Sequence, residues 1–557
     1  MIFGLALVAL AWPAAAYAAP ERASSADALA ESAGVNVHIG FLTGVYGSFG
    51  DWKPKLVALH VRYIRDGLTA GDPVQHARLN DLAASGIRAD LLMGDPKNRY
   101  GNGTLDELLS ALKNEVRSAV VSVEGPNEWD TTAGSYPCDP AHPELGCWAS
   151  DLRSYQQQLY TKVKADPALS GLAVVGPAFA LGDRTAVGDL SPWLDYGNMH
   201  PYPGNRNPEW SLDPAGGNQF GLAAINSGGA PVFATETGYH NALVSSMGHD
   251  PVSERAAGIY DPRLLLDYFA QASSSGQSVT RTFFYELIDQ GNDPNDFQSN
   301  FGLLRNDLSE KPAYRALRNL LGLIEDPGPA FAPGSLDYSL DGASSAVRSV
   351  LLEKRDGSFW LALWRQVDVW NEASGGDLYP ADEQVTLRLA RPIAYATAYR
   401  PGVSDSAYAS WRRTSAIDIR VPADVVLVRL ADTEPRNDPP GSDCACSKRP
   451  EGPNSRCPSS RTQGGRRFQL GLGRIRRASK ISIRWRAARG RLYRVSTSAG
   501  GGKFRRAGVT RIKRNGRGVV RFRPRRVGCV RLAQADRRSP PTGTISRRNL
   551  RLGGPHH

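Results

Sequence analysis

Two glutamates in this chain sit where paired carboxylate chemistry would need them. Glu128 lies in Val121-Ser-Val-Glu-Gly-Pro-Asn127-Glu128-Trp129, and Glu236 lies in Val232-Phe-Ala-Thr-Glu236-Thr-Gly. Each follows a short β-rich apolar run. Two carboxyl groups that face one another can divide labour: one, with a raised pKa, protonates a leaving oxygen, while the other, ionised, attacks the carbon that the oxygen leaves. Taken singly, a glutamate at such a place serves as well to cap a helix or to make a surface ion pair, so the elements that position the two decide the matter.

Between residues 34 and 326, apolar β-rich runs alternate with amphipathic segments. The expected strands are 35–41, 60–65, 89–93, 119–125, 172–176, 196–200, 231–236 and 281–287, with helices such as 104–116, 152–164 and 262–272 between them. Strands separated by crossover helices run parallel, and eight of them in this length fit a (β/α)8 TIM barrel. A doubly wound open sheet is the alternative, but no strand is followed by a G-x-G-x-x-G or P-loop sequence. From about residue 337 the pattern changes to alternation, in 349–354, 359–365, 384–389 and 425–429, which reads as an antiparallel β-sandwich beside the barrel. The expected organisation is a secretory signal over 1–19, a catalytic barrel over 20–330, the sandwich over 331–431, a linker over 432–465 and a small basic β-rich domain over 466–557.

In a barrel of this kind the C-terminal ends of the strands carry the chemistry. Arg65 ends the second strand; Asn127 and Glu128 follow the fourth; His200 and Tyr202 end the sixth; Glu236 ends the seventh; Tyr285 and Glu286 end the eighth. With these residues in this order, 34–326 resembles the clan A glycoside hydrolases, (β/α)8 enzymes that cleave glycosidic bonds with retention. Asn300-Phe-Gly-Leu-Leu and Lys311-Pro-Ala-Tyr are similar to members of that clan, among them family 39.

The resemblance implies that Glu128 is the acid/base and Glu236 the nucleophile. It implies that Arg65 and Tyr202 orient Glu236, that Asn127 bonds the sugar 2-hydroxyl, and that Arg65, His200, Tyr202, Tyr285 and Trp129 belong with Asn127 to the substrate-binding set. Glu128 is then expected to rest protonated beside an ionised Glu236. No metal or organic cofactor is implied. Where many clan members carry a tryptophan floor after the eighth strand, this chain has Phe284-Tyr285-Glu286. Tyr285 takes the floor position, and Glu286 either binds sugar hydroxyls or makes a structural ion pair. Trp52, Trp129, Tyr136 and Trp148 lie near βα loops and either stack on sugars or are buried. The acidic run 289–296 lacks EF-hand spacing and reads as a solvated loop rather than a calcium site.

Composition is that of a globular protein: 41% of the 557 residues are hydrophobic and 22% charged, which excludes wholesale disorder and a polytopic membrane protein. The net charge of +12 conceals two opposite regions. From Arg461 onward there are 29 basic residues and one acidic residue, Asp536, for +28, while the preceding 460 residues carry 38 basic and 54 acidic residues, for −16. The apolar stretch 2–19, with Ala16 and Ala18 before Ala19-Pro20, reads as a secretory signal; a membrane anchor is the alternative, though a span needs about 20 apolar residues.

Secretion permits disulfides. Cys138 and Cys147 are expected to bridge, with Cys444, Cys446, Cys457 and Cys529 left without assigned connectivity; a zinc site on the latter lacks both spacing and histidine. The expected partners are a polysaccharide or oligosaccharide substrate and, for the basic region, an anionic cell-envelope polymer in preference to nucleic acid. The alternative function is a non-catalytic carbohydrate-binding or cell-surface protein on the same barrel.

Overall fold

The computed structural model describes residues 20–432, apart from 140, 142–146, 181–183, 247 and 272–275, together with seven backbone strands between Arg467 and Gly553. The expected signal and nearly all of the expected linker fall outside the described residues, as do the side chains of Cys444, Cys446, Cys457 and Cys529. The chain forms two compact units, Met1–Pro435 and Arg436–His557.

The first unit is built on eight parallel strands: β1 Ala33–Asn36, β2 Tyr63–Gly67, β3 Arg88–Leu92, β4 Val120–Glu124, β5 Ala173–Val175, β6 Gly197–Met199, β7 Val232–Thr237 and β8 Val279–Phe284. They pair in the order β5-β4-β3-β2-β1-β8-β7-β6, and a parallel bridge between Val175 and Tyr196 closes the ring. Every expected strand is present. The ladders are shorter than the apolar runs, because residues such as 37–41 and 285–287 leave the sheet to form the barrel mouth.

Helices between the strands are fixed by local capping. In α1 (Pro73–Ala83), Asp72 accepts from the Val74 and Gln75 amides and Pro73 opens the first turn. In α2 (Leu105–Ala111), Thr104 and Glu107 form a capping box. α3 spans Trp148–Ala165 and α5 spans Pro312–Ile324. α4 spans Glu254–Ala270 and starts eight residues before the expected helix at 262. Pro262 resembles a first-turn proline, yet the cap is Ser253, whose Oγ accepts from the Ala256 amide, and the helix continues through the proline.

Inside the barrel, Tyr63, Val175, Phe233 and Phe283 form an apolar plug. Because side chains alternate along a strand, residues two further on point the same way, nearer the mouth. Arg65 and Thr235 therefore stand above Tyr63 and Phe233, where polar groups replace the plug.

The sandwich comprises β9 Tyr338–Asp341, β10 Val347–Glu353, β11 Phe359–Arg365, β12 Glu383–Arg400, β13 Ser404–Val421 and β14 Val426–Ala431. Strand order is β9-β12-β14-β11-β10, with β13 on β12 and Ser24–Ser25 parallel to β10. β12 and β13 form one long hairpin, of which the sequence pattern shows only 384–389. Its register breaks between Arg388 and Ile393, so the first half of β12 pairs with β9 and the second with β14. Along β11, Trp360, Ala362 and Trp364 join the barrel's core, while Leu361 and Leu363 join a second core with Val385, Leu387 and Ile417. The Arg263 guanidinium of α4, paired with Glu209, donates to the Val367 carbonyl at 2.8 Å, and Asn319 of α5 donates to the Pro401 carbonyl at 2.8 Å.

The described residues of the second unit are all β. β15 Arg467–Gly471, β16 Lys480–Arg486, β17 Leu492–Ser498, β18 Arg505–Arg511, β19 Arg517–Phe522, β20 Cys529–Gln534 and β21 Leu550–Gly553 form two antiparallel sheets, β15-β20-β17-β18 and β19-β16-β21. Among the described residues no helix is long and apolar enough to cross a membrane.

Candidate active site

The barrel mouth gathers Arg65, Asn127, Glu128, His200, Tyr202 and Glu236. Arg65, in the middle of β2, is buried, and its guanidinium is saturated by carboxylates and amides. Nη1 donates to Glu236 Oε1 at 2.6 Å and to Asn36 Oδ1 at 3.0 Å; Nε and Nη2 grip Glu124 at 2.7 and 2.8 Å; Nη2 also reaches Asn127 Oδ1 at 2.7 Å. Burial alone would weaken the guanidinium's hold on its proton. The charges of Glu124 and Glu236 outweigh that effect and drive the pKa well above the ordinary arginine value.

Glu236, at the end of β7, is therefore held at one oxygen by Arg65. Its Oε2 accepts from the Tyr202 hydroxyl at 2.8 Å. Tyr202 stays a neutral donor, since burial and the Glu236 charge both push its pKa well above 10.0. Arg65 and Tyr202, both named from the sequence, thus each donate to a different oxygen of Glu236.

Glu128 opens a 3₁₀ turn after β4, with a left-handed φ of 45°, and its side chain is 28% exposed. His200 stands between the two glutamates. Its Nδ1 lies 2.7 Å from Glu128 Oε1 and 3.6 Å from Glu236 Oε2, and its Nε2 lies 3.0 Å from Thr235 Oγ1. The expectation that Glu128 rests protonated is corrected by this contact. Burial pushes the carboxyl up, but the His200 hydrogen bond and charge, aided by Arg65 and His249, hold it below the ordinary glutamate value of 4.5. Reciprocally, burial pulls His200 down while Glu236 and Glu128 pull it above 6.5, so the proton of the pair rests on the imidazole.

Three expectations need correction. Trp129 is 1% exposed and donates to the Trp148 carbonyl at 3.1 Å, beneath the Arg99 guanidinium, so it offers no face to a sugar. Trp52 and Trp148 are buried likewise, and Tyr136 lies half-buried under Lys97. Glu286 does not present itself as a ligand for hydroxyls. Its side chain is fully enclosed, with Oε2 taken by Tyr46 at 2.9 Å and His38 at 3.0 Å and Oε1 by Gln290 at 2.9 Å. Of its two readings, the ion pair is the one present. His200, expected to bind substrate, has a side chain only 1% exposed and instead supports Glu128.

Tyr285 is half-buried at the mouth, edge-on to Phe301 and to His38. In the acidic run, Asp289 accepts from Lys311 at 2.8 Å and from the Gly302 amide at 2.7 Å, while Asp293 and Asp296 bond nearby loop groups. Cys138 and Cys147 form a disulfide.

Several residues at the site carry no sequence signal as strong as an Asn-Glu pair. Glu124 and Asn198 line the interior under Arg65, with Asn198 Nδ2 donating to Glu124 at 2.8 Å. Asp90 of β3 is fully buried beside Arg65 and Glu124. His38, two residues past β1, has its pKa raised above 6.5: burial opposes the rise, but the hydrogen bond and charge of Glu286 outweigh it. The available signal was alternation, since a polar residue two places after an inward apolar one, as in Tyr63-Ile64-Arg65, must also point inward.

Glu128, His200 and Glu236 each place one ligand atom within 4.8 Å of the others, a spacing at which a metal ion could be held. The Arg65 guanidinium already occupies Glu236, however, and a second cation would repel it. The residues therefore fit an acid pair better than a metal centre.

No protein-family model matches the chain, and no curated protein matches it. Among solved structures, a family 39 glycoside hydrolase from Bacteroides cellulosilyticus WH2 is 13% identical, with 73% of this chain and 82% of that chain covered and a TM-score of 0.49. A GH39 enzyme from Xanthomonas axonopodis pv. citri is 17% identical, covering 75% of this chain and 98% of that chain at a TM-score of 0.47. A glucosidase from Croceicoccus marinus is 13% identical, covering 75% and 98% at 0.49. In fold this chain, a (β/α)8 barrel followed by an antiparallel sandwich, is similar to these glycoside hydrolases.

Proposed function

We propose that the chain is a secreted retaining glycoside hydrolase that cleaves a β-linked polysaccharide or oligosaccharide by double displacement. The observation that carries this reading is the proximity of the two carboxyl groups, with one oxygen of Glu128 and one of Glu236 within 4.8 Å. Retaining enzymes hold their carboxyl groups about 5–5.5 Å apart, whereas inverting enzymes need about 6.5–9.5 Å to admit water between them.

Glu236, ionised against Arg65 and aimed by Tyr202, attacks the anomeric carbon as the glycosidic C–O bond breaks. The departing oxygen takes a proton from Glu128, which His200 keeps supplied. Asn127 has its Oδ1 committed to Arg65, which leaves its Nδ2 to donate to the sugar 2-hydroxyl as charge develops on the ring. Water then enters, Glu128 removes its proton, and the glycosyl–Glu236 ester opens with the original anomeric configuration restored.

Proton NMR of the first product released from aryl β-glycosides tests the stereochemistry: the β-anomer is expected first, and the α-anomer would refute the mechanism. Glu236→Ala is expected to lose more than about 10⁴-fold in kcat. Unchanged turnover in that variant would refute its role, and binding of glycans without turnover by the native chain would mark a carbohydrate-binding protein instead.

A further inference from the structure

Strand register in the second unit sorts its charges. In the sheet β19-β16-β21, Ser482 pairs with Arg521 and Arg551, Arg484 with Val519, Arg486 with Arg517, and Lys480 with Gly553. Directly paired residues lie on the same face of a sheet, and along each strand the faces alternate. One face therefore carries Lys480, Arg484, Arg486, Arg517, Arg521 and Arg551. The other carries Ile481, Ile483, Trp485, Val520, Phe522 and Leu552, with no charged residue at all.

The four-stranded sheet repeats the division. Arg467, Arg494, Arg506, Arg511 and Arg531 share one face, whereas Phe468, Leu470, Val495, Val530 and Leu532 share the other, where Arg505 is the exception beyond a register shift. A random scatter of arginines over the strands would not segregate in this way.

We infer that the cationic face of the β19-β16-β21 sheet is a binding surface for an acidic polysaccharide. Neighbouring strands lie about 4.8 Å apart and same-face residues about 6.8 Å apart along a strand, so the six cations form a dense array suited to a polymer with closely repeated negative charge. Such an array gains affinity by releasing the polymer's condensed counterions. The preceding 460 residues carry a net charge of −16, opposite in sign to what a polyanion needs. Sheets that bind single-stranded nucleic acid stack its bases on aromatic side chains of the binding face. Here Trp485 and Phe522 lie on the opposite face, and the cationic face contains no aromatic residue. That arrangement favours a glycan with carboxylate or phosphate groups. The inference does not rest on the catalytic reading, because binding is measured without turnover.

The test compares the full chain with three variants. The first carries Lys480→Gln, Arg484→Gln, Arg486→Gln, Arg517→Gln, Arg521→Gln and Arg551→Gln. The second removes the same charge elsewhere in the basic region, through glutamine at Arg523, Arg525, Arg526, Arg537, Arg538 and Arg547. The third places lysine at the five arginines of the face.

Binding to polygalacturonate, to a neutral β-glucan and to duplex DNA is read over a salt series. The native chain is expected to prefer polygalacturonate. The face variant should lose at least tenfold and show a flatter dependence on log salt, while the second variant stays within about threefold. The lysine variant retains binding, which separates lost charge from lost folding. Equal losses in both glutamine variants, no binding by the native chain, or tighter binding of DNA than of polygalacturonate at the same salt would overturn the inference.

Discussion

His200 Nδ1 lies 2.7 Å from Glu128 Oε1, so the residue placed to deliver a proton is bonded to a base that competes for it. The pair holds one proton between them. That proton rests on His200 rather than on Glu128, and the pair keeps it until pH passes the raised imidazole pKa, above 6.5.

His200→Asn is accordingly expected to move the alkaline limb of kcat/KM to lower pH and to reduce kcat by roughly 10–100-fold near neutrality. A pH–rate profile checks this, and an unmoved limb would place the proton elsewhere. The same linkage acts on stability. The Glu128 contribution is present above about pH 4.5 and lost as pH falls through its depressed pKa. The His200 contribution is present below 6.5 and lost as pH rises through its elevated one. The native chain should thus exceed the variant in Tm most clearly between those limits.

Arg65 is the hub of the site, with Glu124 and Glu236 both depending on it. Arg65→Met leaves two carboxylates facing each other in an enclosed space without a cation. A loss of about 3–5 kcal/mol in unfolding free energy is expected, together with a fall in kcat/KM of more than about 10³-fold. Arg65→Lys should recover much of the stability but little of the activity, since an ammonium cannot grip Glu124 with two donors and still reach Glu236 and Asn127. Urea denaturation and kinetics on the two variants separate these effects.

Asp90 pulls the other way. Burial is the main cause that raises its carboxyl to about 7, with the neighbouring Glu124 charge adding to it and Ser122, Arg65 and Arg281 opposing. An acid whose folded pKa exceeds its unfolded value of 3.8 costs stability as pH rises from about 4, and the cost levels off above 7. Asp90→Asn should therefore be more stable than the native chain at pH 8 by roughly 2–4 kcal/mol, with the difference vanishing near pH 3. Denaturant titrations at both pH values check the sign.

The Cys138–Cys147 disulfide closes the loop between β4 and α3, with a separation of nine residues, and the chain entropy removed by a loop of that size corresponds to about 2–3 kcal/mol. The double variant Cys138→Ser, Cys147→Ser should lose that much stability. Trp129 donates to the Trp148 carbonyl next to this loop, so the variant's tryptophan emission should also change. Unaltered stability after reduction would show that the loop is held by its tryptophans alone.

The sequence by itself determined the eight parallel strands and their order, because apolar runs alternating with capped amphipathic segments leave the backbone few other ways to bury them. It also brought Arg65, Asn127, Glu128, Tyr202 and Glu236 to strand ends, where a closed barrel must converge them. It divided the charge into an acidic body and a basic end. What it left undecided depends on distances across the ring. Glu286 became a partner of His38 rather than an open carboxylate, and Trp129 turned inward beneath Arg99, because enclosure is a property of neighbours from other strands. The resting proton of Glu128 moved to His200 for the same reason: a 2.7 Å contact between residues that follow β4 and β6 outweighs the effect of burial, and no local spacing encodes it.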